Sequence, residues 1–185
     1  MELDDIIESR RSYRSLDGAE INDDLIEKLA SKAQMAPSCF NNQPWNYVFV
    51  EEEEKLERMQ DVMTKTNRWT NKASMIIAVF TKEDDDCVVK GRKYYLLDTG
   101  MATAFLILKA TELGLVAHPI AGFDEEKTKD LLNIPEGYRL ITLVIVGKHS
   151  DTINELLTEK QAEVEKERPK RDSLDSFVYR NEYEE

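Results

Sequence analysis

Cysteine, histidine, glycine, basic residues and long apolar runs are all scarce in this sequence, and each scarcity removes a class of chemistry. Two cysteines in 185 residues, Cys39 and Cys87, do not make a disulfide framework, and no CxxC pair or neighbouring His marks a zinc site. Both are expected as reduced thiols. Only His118 and His149 are present, so a multi-histidine metal centre is excluded and a Ser-His-Asp triad would have to use one of the two; structural or solvated roles are expected for both. None of the seven glycines falls in GxGxxG or in GxxxxGK followed by Ser or Thr, which argues against Rossmann and P-loop nucleotide sites. The 25 Lys and Arg against 37 Asp and Glu leave a net charge of -12, which excludes broad contact with a nucleic-acid backbone. The longest apolar stretch, Met101 to Leu108, is far short of the ~20 residues of a bilayer span. The opening MELDDIIESR is acidic where a secretory leader would be basic, so the chain is expected in the cytoplasm.

What remains suits one globular domain over residues 1–185, with 41% hydrophobic and 34% charged residues. Leu3, Ile6 and Ile7 fit a short helix face. Asn22 is a plausible N-cap for a helix with Leu25, Ile26, Leu29, Ala30 and Ala33 as its buried stripe, ending before Pro37. Tyr47 to Val50 is β-rich, Glu51 to Met63 reads as a surface helix, and Met75 to Phe80 is a strand covered on both faces. Asp98 to Leu113 is apolar almost all round and reads as a central buried helix closed by Gly114. Strands are expected at Leu115 to Ile120 and Arg139 to Val146, with a helix after Asp124 and a charged helix over Thr152 to Glu167. The elements alternate without a strict βαβ rhythm, which implies α and β layered around one sheet.

Three segments carry functional character. Arg10-Arg11-Ser12-Tyr13-Arg14 places three guanidiniums and a hydroxyl within five residues, a set suited to a phosphate monoester; it would equally serve as a solvated basic turn paired with nearby carboxylates. The loop APSCFNNQPW at 36–45 offers Asn and Gln amides on a backbone fixed by prolines, able to read a heterocycle edge or a polyol, or simply to cap a helix and start a strand. Arg168, Lys170 and Arg171 lie where the charged helix gives way to the tail, and spacing does not show whether they fold back to the first cluster.

Taken in order, RRSYR, APSCFNNQPW and DTGMATAFLILKATELGLVAHPIAGFD with LLNIPEGYRLITLVIVG resemble the FMN-dependent nitroreductase family over nearly the whole chain. The resemblance implies an α+β fold, a nitroreductase-like three-layer α-β-α sandwich with a central, mostly antiparallel sheet. It implies a homodimer with FMN at the subunit interface, and residues 168–185 as an arm reaching toward the partner. By position, Arg10, Arg11, Ser12 and Arg14 match residues that bind the FMN phosphate and ribityl end. Pro37, Ser38, Cys39, Asn41 and Gln43 match the loop that the partner contributes, and Asn67 an Asn near the flavin pyrimidine edge. Ala121 and Gly122 match a turn whose N–H groups approach N5 and O4, and Lys170 and Arg171 a basic pair closing on the phosphate. Three departures stand out: Phe40 where many relatives have a small residue, Ala121 where others have Glu or Gly, and a short 82–97 segment where longer relatives carry a helical excursion over the flavin.

The activity the resemblance implies is ping-pong hydride transfer from NAD(P)H through flavin N5 to a nitroaromatic, a quinone or a similar acceptor, with no side-chain acid or nucleophile required. Reductive dehalogenation, flavin fragmentation and a non-catalytic flavin-binding redox sensor are the alternatives. No metal is implied, and Cys39 is expected to contribute its backbone rather than a reactive thiol.

Overall fold

The computed structural model describes residues 2–183. Met1 and, of the expected arm over 168–185, residues 184 and 185 lie outside the described residues. Six α-helices occur among them: α1 (Leu3–Ser9), α2 (Asp23–Ala33), α3 (Glu53–Met59), α4 (Tyr95–Glu112), α5 (Glu125–Leu132) and α6 (Glu159–Lys166). The strands are β1 (Leu16–Asp17), β2 (Asn46–Val50), β3 (Met75–Thr81), β4 (Val88–Val89), β5 (Arg92–Lys93), β6 (Val116–Ile120) and β7 (Arg139–His149).

Strand β7 organises the main sheet. It pairs antiparallel with β3, β6 and β1, and β3 pairs antiparallel with β2. The period-2 alternation of a strand sends successive side chains to opposite faces, and here both faces are dry. Ile76, Ala78, Leu143, Ile145, Val116 and Ile120 join Trp69, Met59 and Val62 on one side. Met75, Ile77, Val79, Val144 and Val146 meet Leu29 and Ala33 of α2 and Ala102, Leu106 and Ala110 of α4 on the other. Helices thus cover the sheet from two sides, the layered α+β arrangement expected.

Local chemistry sets the element ends. The Asn22 side chain accepts the Leu25 N–H at 2.9 Å to start α2, and Asp124 accepts the Lys127 N–H at 3.1 Å to start α5. Thr158 and Gln161 form a capping box at α6. Gly147 lies where β1 crosses β7; a Cβ there would sit 3.3 Å from both the Asp17 carbonyl oxygen and the Leu16 Cβ. Strand β1 itself, two residues long, has no sequence signal of its own.

Two expected helices are shorter than their sequence pattern. The stretch 51–63 is α3 followed by a 3-10 turn at Gln60–Val62. Of 152–167 only Glu159–Lys166 is helical, because the chain before it is held in turns on Ser15: Asn154 N–H donates to Ser15 Oγ at 3.0 Å and Ser150 N–H to Ser15 O at 3.0 Å. Helix α4 is also less enclosed than its composition implies, with Leu97 56% and Phe105 41% exposed.

Candidate functional site

The structure joins the two ends of the chain at one basic cleft. Arg10, Arg11, Ser12 and Arg14 line it from the N-terminal side, and Val164, Arg168, Pro169 and Arg171 line it from α6 and the tail, enclosing about 220 Å³. The pairing is enforced by backbone chemistry. Both oxygens of the buried Glu165 carboxylate accept N–H groups, from Arg14 at 3.0 Å and Ser15 at 2.9 Å. Arg168 Nη2 donates to the Arg10 carbonyl at 3.0 Å and also to the Glu8 carbonyl.

The four N-terminal candidates play distinct parts. Arg11 is committed to the fold: its Nη2 donates to the carbonyls of Val164 at 2.8 Å and Glu165 at 3.2 Å, and its guanidinium lies 4.4 Å from the Tyr13 ring centroid. Arg10 reaches Ser12 Oγ at 3.1 Å. Among the described residues, no ion pair involves Arg10, Arg14, Arg168 or Arg171. Partial burial lowers the Arg10 pKa, and repulsion from Arg168 and Arg171 lowers it further. Burial also lowers that of Arg14, against the pull of Glu165. Arg10, partly out of water, repelled by Arg168 and Arg171 and in no ion pair among the described residues, is in a setting that an anion would relieve. The residue chemistry therefore fits a phosphate group. Lys170 is exposed and does not line the cleft; Arg168 stands in the position where the sequence pointed to Lys170. Spacing alone could not separate them, because only the path of the tail after α6 decides which side chains turn inward.

The other candidates lie away from this cleft and form two groups of their own. In the first, Asn67 donates through Nδ2 to the Gly122 carbonyl at 3.0 Å, and Thr64 N–H donates to the same oxygen at 3.0 Å. A Cβ on Gly122 would stand 2.6 Å from both Asn67 Nδ2 and Thr64 Oγ1, so a side chain there would displace Asn67 and Thr64. Ala121 O accepts the Phe123 N–H at 3.2 Å. The carbonyl side of this turn is thereby engaged.

The second group is the loop Pro37–Gln43, and here an expectation fails. Cys39 and Cys87 are not free thiols but a disulfide, their Cα atoms 6.1 Å apart across 48 positions. Separation in sequence hid the pair; the 82–97 segment folds as a 3-10 turn (Glu83–Asp85) and the β4–β5 hairpin, which brings Cys87 back to the loop. The Cys39 N–H is likewise occupied, donating to Asp98 Oδ2 at 2.6 Å. Ser38 Oγ accepts the Gln43 N–H at 3.0 Å, and Gln43 Nε2 donates to Asn41 O at 3.2 Å. Phe40, Asn41 and Gln43 all have positive φ, at 50°, 60° and 52°, and the Phe40 ring is 85% exposed.

Neither histidine has the surroundings of a catalytic base. His118 is buried on β6, its Nδ1 2.9 Å from the Tyr13 carbonyl oxygen and its ring 4.9 Å from Trp69. Burial lowers its pKa to about 4. His149 stacks on Tyr13 at 3.7 Å. Among the described residues, no helix is long and apolar enough to cross a membrane.

Comparison with known proteins agrees with this fold. Residues 7–83 and 63–148 match the model of the nitroreductase family. The chain is 28% identical over 150 residues to the Archaeoglobus fulgidus protein named "Putative NADH dehydrogenase/NAD(P)H nitroreductase", covering 79% of this chain and 84% of that one. A nitroreductase family protein from Clostridium novyi NT superimposes with a TM-score of 0.76 at 27% identity, over 82% of this chain and 87% of the other. A crystal structure described as an oxidoreductase containing FMN superimposes with a TM-score of 0.84 at 24% identity, over 97% of this chain and 91% of that one. With the family match spanning the sheet, the helices on both its faces and the Arg-rich segment, the chain belongs to the nitroreductase family of oxidoreductases.

Proposed function

We propose that the protein is an FMN-dependent NAD(P)H oxidoreductase that works as a homodimer in the cytoplasm and passes electrons to nitroaromatic, quinone or similar acceptors. The observation that carries this reading is the cleft that gathers the guanidiniums of Arg10, Arg14, Arg168 and Arg171, none of them in an ion pair among the described residues. A phosphate monoester bears about -1.5 to -2 charges at neutral pH and accepts several donors at once, which matches that set.

In this assignment Arg10, Ser12 and Arg14 hold the phosphate, Arg171 closes on it from the tail, and Arg11 and Arg168 position the segment. FMN, when bound, would supply hydride-transfer chemistry between NAD(P)H and a second substrate in ping-pong order. The chain's own work is orientation and electrostatics. With the Ala121 and Gly122 carbonyls engaged inward, the N–H groups of that turn are the donors assigned to the flavin edge, where they would favour negative charge. Asn67 then acts by fixing the turn.

The reading as a dimer is supported by what a single chain leaves bare. Leu3 and Ile7 on α1, Leu97 and Phe105 on α4, and Phe177, Val178 and Tyr179 in the arm are all more than 40% exposed, and α1 packs against α4. Exposed apolar groups collected on two packed helices and a tail suit an interface. The loop Pro37–Gln43 lies outside the Arg cleft, so its assignment to FMN is made to the partner's copy.

The test is the absorbance spectrum of the purified protein, then anaerobic addition of NADH and of NADPH. A flavin spectrum bleached by either nucleotide and restored by a nitroaromatic or a quinone supports the proposal. A colourless protein that does not retain added FMN overturns it.

A further inference from the structure

The Cys39–Cys87 disulfide ties the loop Pro37–Gln43 to the 83–93 segment, and it does so beside two carboxyl groups. Asp86 Oδ1 accepts the Cys87 N–H at 2.8 Å and the Asn42 Nδ2 at 3.2 Å. Asp98, 2% exposed, accepts the Cys39 N–H at 2.6 Å. The second oxygen of Asp86 is buried with no hydrogen-bond partner among the described residues. Among the described residues, neither Asp86 nor Asp98 forms an ion pair. Burial raises the Asp98 pKa, and the neighbouring Asp86 carboxylate raises it further. A carboxyl group out of water beside a second carboxylate holds its proton more readily than one alone. An Asp86 oxygen and both sulfurs lie within 4.8 Å of one another, so a carboxyl group of the pair stands next to the disulfide.

The loop is also poised to change. Three of its non-glycine residues occupy the left-handed region, Phe40 at 50°, Asn41 at 60° and Gln43 at 52°. Such backbone persists only where the surroundings hold it, and the exposed Phe40 side chain supplies no packing. The disulfide and the Asn42–Asp86 hydrogen bond are the ties that hold the loop to the 83–93 segment. Both cysteines are half-buried rather than sealed, so a small thiol has access.

We propose that Cys39 and Cys87 form a reversible dithiol–disulfide switch, driven by exchange with low-molecular-weight thiols, that sets the conformation of the loop Pro37–Gln43, with the Asp86–Asp98 pair protonating the departing sulfur. A thiolate attacks Cys87 Sγ, the Cys39–Cys87 bond breaks, and Cys39 leaves with the electron pair and takes the proton from the carboxyl pair. A second thiolate attacks the external sulfur of the mixed disulfide, and Cys87 leaves and is protonated from solvent. Two external thiols are oxidised to one disulfide, and the protein disulfide is reduced to two thiols. The effect of the switch on FMN rests on the proposed function, because that reading gives the loop to the flavin; the thiol chemistry does not depend on it.

The experiment equilibrates the full-length protein in buffers of reduced and oxidised glutathione, traps thiols by alkylation and reads them by mass spectrometry. Both cysteines should become alkylatable together in one reversible transition of the folded protein. A disulfide that resists reduction until the chain unfolds overturns the switch, as do thiols that stay alkylatable in oxidised glutathione. So does reduced protein that retains one equivalent of Zn2+, which would make Cys39, Asp86 and Cys87 a metal site. Hydrogen exchange of 38–43 and 83–93 should accelerate about tenfold on reduction, and unchanged exchange removes the conformational consequence. Asp86→Asn should slow reduction by dithiothreitol, and an unchanged rate removes the carboxyl pair from the mechanism. FMN affinity should differ between the two forms by about fivefold or more, whereas Cys87→Ser should bind as the reduced form does under any redox condition. Equal affinity in both forms overturns the link to the flavin. Absence of FMN binding in either form defeats the proposed function instead, and thiol titration and exchange still judge the switch.

Discussion

At the scale of single residues, one short segment divides its labour. Arg10, Arg11 and Arg14 are chemically alike, yet Arg11 spends its guanidinium on the C-terminal carbonyls of α6 while Arg10 and Arg14 face a cleft without carboxylate partners. Their substitutions should therefore separate. Arg10→Ala and Arg14→Ala should each weaken FMN binding by about 1.5–3 kcal/mol, the worth of a charge-assisted hydrogen bond, in a fluorescence titration. Arg11→Ala should instead lower unfolding stability by roughly 1–3 kcal/mol in denaturant titrations, having removed the fork that closes α6 onto the N-terminal segment. His118 gives a pH signature. Its Nδ1–H donates to the Tyr13 carbonyl and burial holds its pKa near about 4, so the folded protein keeps it neutral while the unfolded chain takes up a proton below the ordinary value of about 6.5. The unfolded state is then favoured progressively as pH falls from ~6.5 to ~4, a loss of roughly 3 kcal/mol, with no contribution above that window. His118→Asn should flatten this part of the stability–pH curve. The Arg cluster was legible in the sequence because three guanidiniums within five residues of an acidic chain are conspicuous. The different duties of its members were not, because their partners lie about 150 positions away, on and beyond α6.

At the scale of elements, the sequence pattern located most helices and strands and missed what depends on distant contact. Strands β3 and β7 were visible as apolar runs because both faces of the sheet are covered, and α2 and α5 because Asn22 and Asp124 cap them. The expected helix over 152–167 lost its first half, where Ser15 Oγ takes the Asn154 N–H and Asn154 Oδ1 the Leu156 N–H. The two-residue β1 carries no periodicity, yet it lays the Arg segment along the end of β7. The turn at Gly122 is tight for a reason internal to the fold, the approach of Asn67 and Thr64 to within 2.6 Å of where a Cβ would lie. Gly122→Ala should destabilise the protein by about 1–3 kcal/mol, because the two displaced side chains hold the turn or bound it closely. A thermal melt reads this directly, and an unchanged midpoint would show that Thr64 and Asn67 can yield.

At the scale of the whole molecule, an acidic protein gathers Arg10, Arg11, Arg14, Arg168 and Arg171 at one cleft between its N-terminal segment and the chain after α6, and leaves apolar side chains bare on α1, α4 and the tail. A chain ending at Asp172 keeps Arg168 and Arg171 but loses Phe177, Val178 and Tyr179. It should shift toward monomer in light scattering while its Arg cleft stays intact, whereas a chain ending at Pro169 should lose FMN affinity as well. Phe105→Asp should likewise favour the monomer without unfolding the chain, since that ring is 41% exposed. The sequence by itself determined the layering of α and β around one sheet, the exclusion of dinucleotide and P-loop motifs, and the gathering of three guanidiniums in the Arg10–Arg14 segment, because these follow from local periodicity and composition. Only the tertiary structure decided that Arg168, rather than Lys170, lines the cleft, that Arg11 belongs to the scaffold, and that Cys39 and Cys87 are joined. Each of these depends on which distant segments the sheet and its connections bring within a few ångströms, and no spacing along the chain encodes that distance.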